Sequence, residues 1–170
     1  MPLVKGNHIV SDDFVTLGDE DAIPPSGNVL VPAVRFLADA EALLARGGKV
    51  GVIWPNGRDI DELAPYLPKL AVVGLVFPTF RDGRAYSQSR ILRERYSYKG
   101  EVRATGQVLR DQFVFMLRAG FDAFLVKKES DAEAFANVAK RYSVFYQPTG
   151  DGRATAFRRR LAFHVAGASS

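Results

Sequence analysis

Hydrophobic and polar positions along this chain change period several times, and each change marks an element. Leu3–Val10 and Phe14–Leu17 read as two short extended runs separated by Ser11-Asp12-Asp13, residues suited to a tight turn, so the spacing predicts an N-terminal hairpin within residues 1–20. Ile23-Pro24-Pro25-Ser26-Gly27 then interrupts regular structure. A 3.6-residue stripe through Phe36, Leu37, Ala40, Leu43 and Leu44 predicts a helix that stops at Gly47-Gly48.

From there strand-like and helix-like stretches alternate. Lys49–Trp54 (KVGVIW) is a short apolar run ending at the turn Pro55-Asn56-Gly57. Asp59 with Glu62 has capping-box spacing ahead of Ile60, Leu63 and Leu67. Leu70–Phe77 (LAVVGLVF) is apolar without alternation, as expected of a central strand buried on both faces. Asp82 is placed to cap a helix from Arg84 to Arg95. Glu101–Ala104 predicts a strand, and Leu109, Phe113, Met116 and Leu117 form a helical stripe that stops at Gly120, with Phe121 packing back. Asp122–Val126 predicts another strand. Ser130 and Glu133 have the spacing to cap a helix carrying Ala132, Phe135, Ala136 and Ala139, and Ser143–Tyr146 predicts a last strand.

Alternation with short connections implies right-handed crossovers and a mostly parallel sheet covered by helices. The expected class is therefore α/β: a single domain over residues 1–150, with a basic, loosely held tail at 151–170. Since a complete eight-fold barrel needs at least about 200 residues, an open sheet of four to six strands is favoured, with a truncated barrel-like course as the alternative.

Composition narrows the chemistry. The 170 residues include no cysteine, which removes thiolate nucleophiles, disulfides and cysteine-held iron–sulfur clusters. No apolar run approaches the roughly 20 residues that span a bilayer, and the N-terminus lacks the apolar core of a signal peptide, so a cytoplasmic protein without a membrane association is expected. Neither GxGxxG nor GxxxxGK[ST] occurs, so no motif indicates a cofactor. The two histidines, His8 and His164, fall in the hairpin and the tail and support neither a metal centre nor a histidine triad. Ser87 and Ser89 read as helix-surface serines, and Trp54, Tyr96 and Tyr98 as core aromatics before ligand-stacking ones.

Charge is local. Residues 81–118 hold nine Lys/Arg against four Asp/Glu, a net of +5; residues 151–170 hold four Arg against one Asp, a net of +3; with a total of +4, the rest of the chain is net −4. Such a distribution suits an anionic ligand or an acidic partner surface better than nucleic acid, for which no recognition motif accompanies the arginine tail. The candidate anion- or partner-binding residues are Arg84, Arg103, Arg110, Asp82, Gln112 and Arg90. In the strand assignment above, Asp82 and Arg84 follow the carboxyl end of one strand and Arg103 lies near the corresponding end of the next, where open α/β sheets bind ligands. The simpler reading pairs Arg90 with Glu94, and the other arginines likewise, on solvated helix faces.

The same residues carry a resemblance. Asp82-Gly83-Arg84, Gly100-Glu101-Val102-Arg103, Leu109-Arg110-Asp111-Gln112 and Gly120-Phe121-Asp122-Ala123-Phe124, within a stretch from about Lys49 to Tyr146, are similar to the signature region of a bacterial family called domain of unknown function 934. The resemblance implies a protein encoded beside sulfite reductase and other genes of assimilatory sulfate reduction. Some members carry an oxidoreductase label, which a cysteine-free chain does not support, because sulfite reduction needs sirohaem and an iron–sulfur cluster. The leading expectation is an accessory protein of sulfite reduction that binds sulfite reductase, its electron donor or an anionic intermediate through the arginine-rich segment. The competing expectation is an enzyme acting on a small oxyanion or phosphorylated substrate at the strand ends, with Glu101 or Asp111 as general acid/base and Arg84, Arg103 and Arg110 orienting the substrate.

Overall fold

A computed structural model describes residues 1–141 except Asn7 and Phe80. Its frame is one eight-stranded sheet. In chain order the strands are β1 (Leu3–Lys5), β2 (His8–Val10), β3 (Phe14–Thr16), β4 (Asn28–Pro32), β5 (Val50–Trp54), β6 (Val72–Phe77), β7 (Glu101–Gly106) and β8 (Ala123–Leu125). The helices are α1 (Ala33–Ala45), α2 (Arg84–Arg90), α3 (Phe113–Ala119) and α4 (Glu129–Arg141). In space the strands run β2-β1-β8-β7-β6-β5-β4-β3. β3 to β8 are mutually parallel and lie in sequence order, while β1 runs antiparallel to both β2 and β8.

Sequential order has a physical consequence: each right-handed crossover steps the same way, so the helices gather on one face. That face carries Val29, Val31, Val50, Val52, Trp54, Val73, Leu75, Phe77, Val102, Ala104 and Phe124, which join Phe36, Leu43, Leu92, Phe113 and Met116 in one buried core. Among the described residues the opposite face has no helix layer, yet Leu3, Leu30, Val72, Arg103, Thr105 and Ala123 on it are buried too. They are buried because the sheet curls over them. Laid flat, seven strand spacings would put β2 and β3 roughly 33 Å apart. The link from Val10 to Phe14 makes only four Cα–Cα steps and reaches at most about 14 Å. The sheet therefore takes the barrel-like course, a half-barrel, and Ser11–Asp13 strap its two edges together.

That strap corrects the expected hairpin. The N-terminal hairpin is β1–β2, turning at Gly6, whereas Phe14–Thr16 pairs in parallel with β4 at the far edge. β4 itself escaped the hydrophobic pattern because Pro24, Pro25 and Pro32 bracket its short apolar run. Residues 60–69 form two short 3-10 turns instead of a helix. Asp59 accepts from the Asp61 N–H at 3.0 Å, but the Glu62 carboxylate is taken by Arg58, so only half of the capping box forms. The helix after β6 becomes a π-turn over Ile91–Arg95, and α4 starts at Glu129, which puts Ser130 inside its first turn and not at its cap. Gly120 stops α3 as expected, with φ of 102° and the Phe121 N–H donating to Met116 O at 3.2 Å. The predicted strand Ser143–Tyr146 and the tail lie outside the described residues.

Candidate functional site

At the carboxyl ends of β5 and β6 two loops are bound to one another through α2. The buried Gln88 side chain donates from Nε2 to Pro55 O at 3.1 Å and to Arg58 O at 2.9 Å, fixing the loop that follows β5. In the loop after β6, Asp82 accepts from the Arg84 backbone N–H at 3.3 Å, from Arg84 Nε at 3.0 Å and from Nη2 at 2.7 Å. These hydrogen bonds from Arg84 hold the Asp82 carboxyl far below the usual carboxylate range. The Arg84 side chain remains 62% exposed. Beside it, Arg58 pairs with Glu62 at 2.9 Å and lies over the buried Trp54 ring, 5.4 Å from its centroid.

The carboxyl end of β7 is shaped by Gly106, whose φ is +87° and whose added Cβ would stand 2.4 Å from Phe77 O. Only glycine lets the two strand ends approach so closely. The chain then turns through Arg110–Gln112 into α3, leaving Arg110 and Asp111 exposed beside an open hollow that Val114 and Val138 also line. Tyr86 packs edge-on against Phe77, and burial, with a smaller contribution from the Asp111 charge, pushes its hydroxyl up to about 12.

Arg103 sits elsewhere. It is the third residue of β7, on the inner face of the curled sheet, with 0% exposure. Its Nη1 and Nη2 donate to the two Asp12 oxygens at 2.6 and 3.1 Å, and its Nε donates to Glu101 Oε1 at 2.7 Å. The other Glu101 oxygen meets Lys5 Nζ at 2.7 Å. The Phe14 ring, from the sheet's opposite edge, stands 5.7 Å from the guanidinium carbon. This correction has a simple cause: β7 runs on to Gly106, and the long side chain reaches back toward Glu101, so Arg103 belongs to the amino-terminal half of the barrel interior.

A further arginine ties the frame. Arg93, in the π-turn, donates from Nε to Gly120 O at 2.9 Å, from Nη1 to Tyr98 O at 2.6 Å and to Gly100 O at 2.9 Å, and from Nη2 to Asp122. Asp122 in turn accepts from the Val102 N–H at 2.9 Å. Arg93 therefore clamps two connections together, the one from the π-turn to β7 and the one from α3 to β8. Arg95 bonds Asp61 at 2.8 Å, and Tyr96 donates to the same carboxylate. Trp54 and Tyr98 are core residues, while Ser89, expected on the surface, is fully buried and donates to Ala119 O at 2.9 Å.

The predicted site residues thus fall in separate places. Asp82 and Arg84 share one loop; Arg110, Asp111 and Gln112 share another at the same end of the sheet. Arg90 is exposed at the end of α2. Arg103 and Glu101 form the interior cluster with Asp12 and Lys5. The two acid/base candidates stand at opposite ends of β7, a six-residue strand roughly 20 Å long. Asp12, Lys5, Gln88 and Arg93 had not been singled out. The detectable signal was the period-two placement of Glu101, Arg103 and Thr105, polar side chains on one face of a strand whose other face is apolar.

Among the described residues no three His, Asp or Glu side chains group as a metal site, and no helix is long and apolar enough to cross a membrane. Fold and site together define a curled α/β half-barrel with an ion-paired interior and arginine-bearing loops at its carboxyl end. The chain belongs to the DUF934 family, bacterial proteins of unknown function, whose sequence profile matches residues 51–157, more than half of its length. No curated protein matches it.

Proposed function

We propose that this protein is an accessory factor of assimilatory sulfite reduction that docks on sulfite reductase or its electron donor and leaves the redox step to them. The observation that carries this reading is the exposure of Arg84, at the start of α2, and of Arg110, in the turn after β7, at the same end of the sheet, while Arg93, Arg95 and Arg103 of the same segment are taken up by Asp122, Asp61 and Asp12. Cations spread over neighbouring loops suit a broad acidic protein surface, where charge complementarity sets orientation and speeds encounter. The family's association with sulfite-reduction genes, implied by the resemblance of the signature segments, supplies the partner. Of the two acid/base candidates of an oxyanion-processing enzyme, Glu101 is held between Arg103 and Lys5 away from those arginines, and Asp111, beside Arg110, borders an open hollow and not an enclosed pocket.

The test is affinity purification from cells growing on sulfate, with the wild-type chain and with the Arg84→Glu/Arg110→Glu double variant. Recovery of the reductase or its donor with the wild type, and its loss with the variant, is the expected result. A deletion strain that grows normally on sulfate, together with no co-purification of either protein, overturns the proposal.

A further inference from the structure

The interior cluster has a feature that a plain structural ion pair does not require. Arg103 is held from behind: Glu101 takes its Nε, Lys5 takes the remaining Glu101 oxygen, and Phe14 flanks the guanidinium. Both terminal nitrogens are thereby fixed in a fork, the geometry that matches a planar carboxylate or two oxygens of a tetrahedral oxyanion. Among the described residues only Asp12 fills that fork, and Asp12 belongs to the strap between β2 and β3.

The strap is lightly tied. Ser11, Asp12 and Asp13 are all exposed, and none of them makes a backbone–backbone hydrogen bond among the described residues. Beyond the fork, Asp12 makes one local contact, accepting from the Phe14 N–H at 3.2 Å. The strands on either side have three residues each, and both are sheet edges. A buried, pre-oriented arginine is thus covered by an exposed segment whose one anchor is a carboxylate.

We infer that the Arg103 fork is an exchangeable oxyanion seat, occupied in this conformation by the chain's own Asp12 and open to a small oxyanion or an incoming carboxylate when the strap lifts. With Lys5, Glu101 and Arg103 left in place, lifting Asp12 uncovers a net charge of +1 at the amino-terminal end of the half-barrel. An anion there restores the pairing. The seat lies away from the Arg84 and Arg110 loops, so it stands or falls independently of the docking proposal.

Acetate, sulfite and sulfate are the probes, each compared with chloride at equal ionic strength. In Asp12→Ala, at least one of them raises the melting temperature saturably and binds about tenfold or more tighter than it does to wild type. Adding Arg103→Lys, which keeps the charge and removes the fork, abolishes that binding. In wild type, the same anion speeds hydrogen exchange of the Phe14 amide, the N–H that Asp12 holds at 3.2 Å. Preference for acetate identifies an incoming carboxylate, and preference for sulfite or sulfate a free oxyanion. If Asp12→Ala does not fold, Asp12→Asn, which keeps the side-chain volume, is read in the same way. No stabilisation beyond chloride, equal stabilisation when Arg103 is Lys, or a wild-type Phe14 amide whose exchange does not respond to the anion each overturn the inference.

Discussion

Replacing Arg103 with methionine removes a guanidinium that is 0% exposed and makes three charge-assisted hydrogen bonds, two to Asp12 and one to Glu101. Breaking one side of a fully buried pair costs about 3–5 kcal/mol, because the abandoned charge is left without solvent. Here the abandoned groups are partly rescued. The Asp12 side chain is 26% exposed and can rehydrate, and Glu101, at 14%, keeps Lys5. The loss should therefore fall near the low end, about 3 kcal/mol, with methionine filling most of the vacated volume. For a domain of this size that lowers the melting temperature by roughly 6–12 °C. Urea unfolding at neutral pH, followed by circular dichroism, measures it. Asp12→Asn alone should cost less, about 1–2 kcal/mol, and the double variant should show a coupling of at least about 1 kcal/mol between the two positions. A loss for Arg103→Met within about 0.5 kcal/mol of zero, the range of ordinary surface changes, refutes the reasoning, as does a coupling near zero.

Other outcomes follow from single positions. Gly106→Ala should destabilise by about 2 kcal/mol or more in the same urea assay, since its Cβ would stand 2.4 Å from Phe77 O at a φ of +87°. Ser97 has a φ of 50° where the π-turn ends and the Tyr98 N–H donates to Leu92 O at 2.9 Å, so Ser97→Gly should gain about 0.5–1 kcal/mol. Tyr86 is raised from 10.0 to about 12, so its contribution is full below pH 10 and is lost as pH rises toward 12; ultraviolet titration should place its midpoint near 12, and Tyr86→Phe should remove that step. A Tyr86 midpoint near 10 contradicts the packing against Phe77. The Asp82 carboxyl, lowered by Arg84, adds stability above its ordinary value that fades as pH falls below it, and Arg84→Ala should return its carbon-13 titration to the ordinary carboxylate range.

Much of the fold was legible because local chemistry and tertiary packing agree along most of the chain. The apolar runs that became β5 and β6 are buried on both faces, so no alternation could mislead, and the glycine stops after α1 and α3 act within a single turn. β4 was not legible, since prolines on both sides mimic a loop and its partners lie in β3 and β5. The helix expected after Asp59 lost out to Arg58, which captured the Glu62 carboxylate needed for the second half of the cap. At the site, Asp82 and Arg84 could be placed together because they are two residues apart and act on one loop. Arg103 could not be placed, because its position in β7 is local information and its partner is not.

The sequence by itself determined the α/β class, the order of strands and helices from β6 to α4, and a concentration of arginine in one segment. These follow from hydrophobic period, capping residues and charge, all of which act over a few residues. Only the tertiary structure decided that the sheet curls, that the Ser11–Asp13 strap closes its edges, and that Arg103 spends its charge on Asp12. Those outcomes depend on contacts between residues 91 positions apart in the chain, which no local pattern encodes.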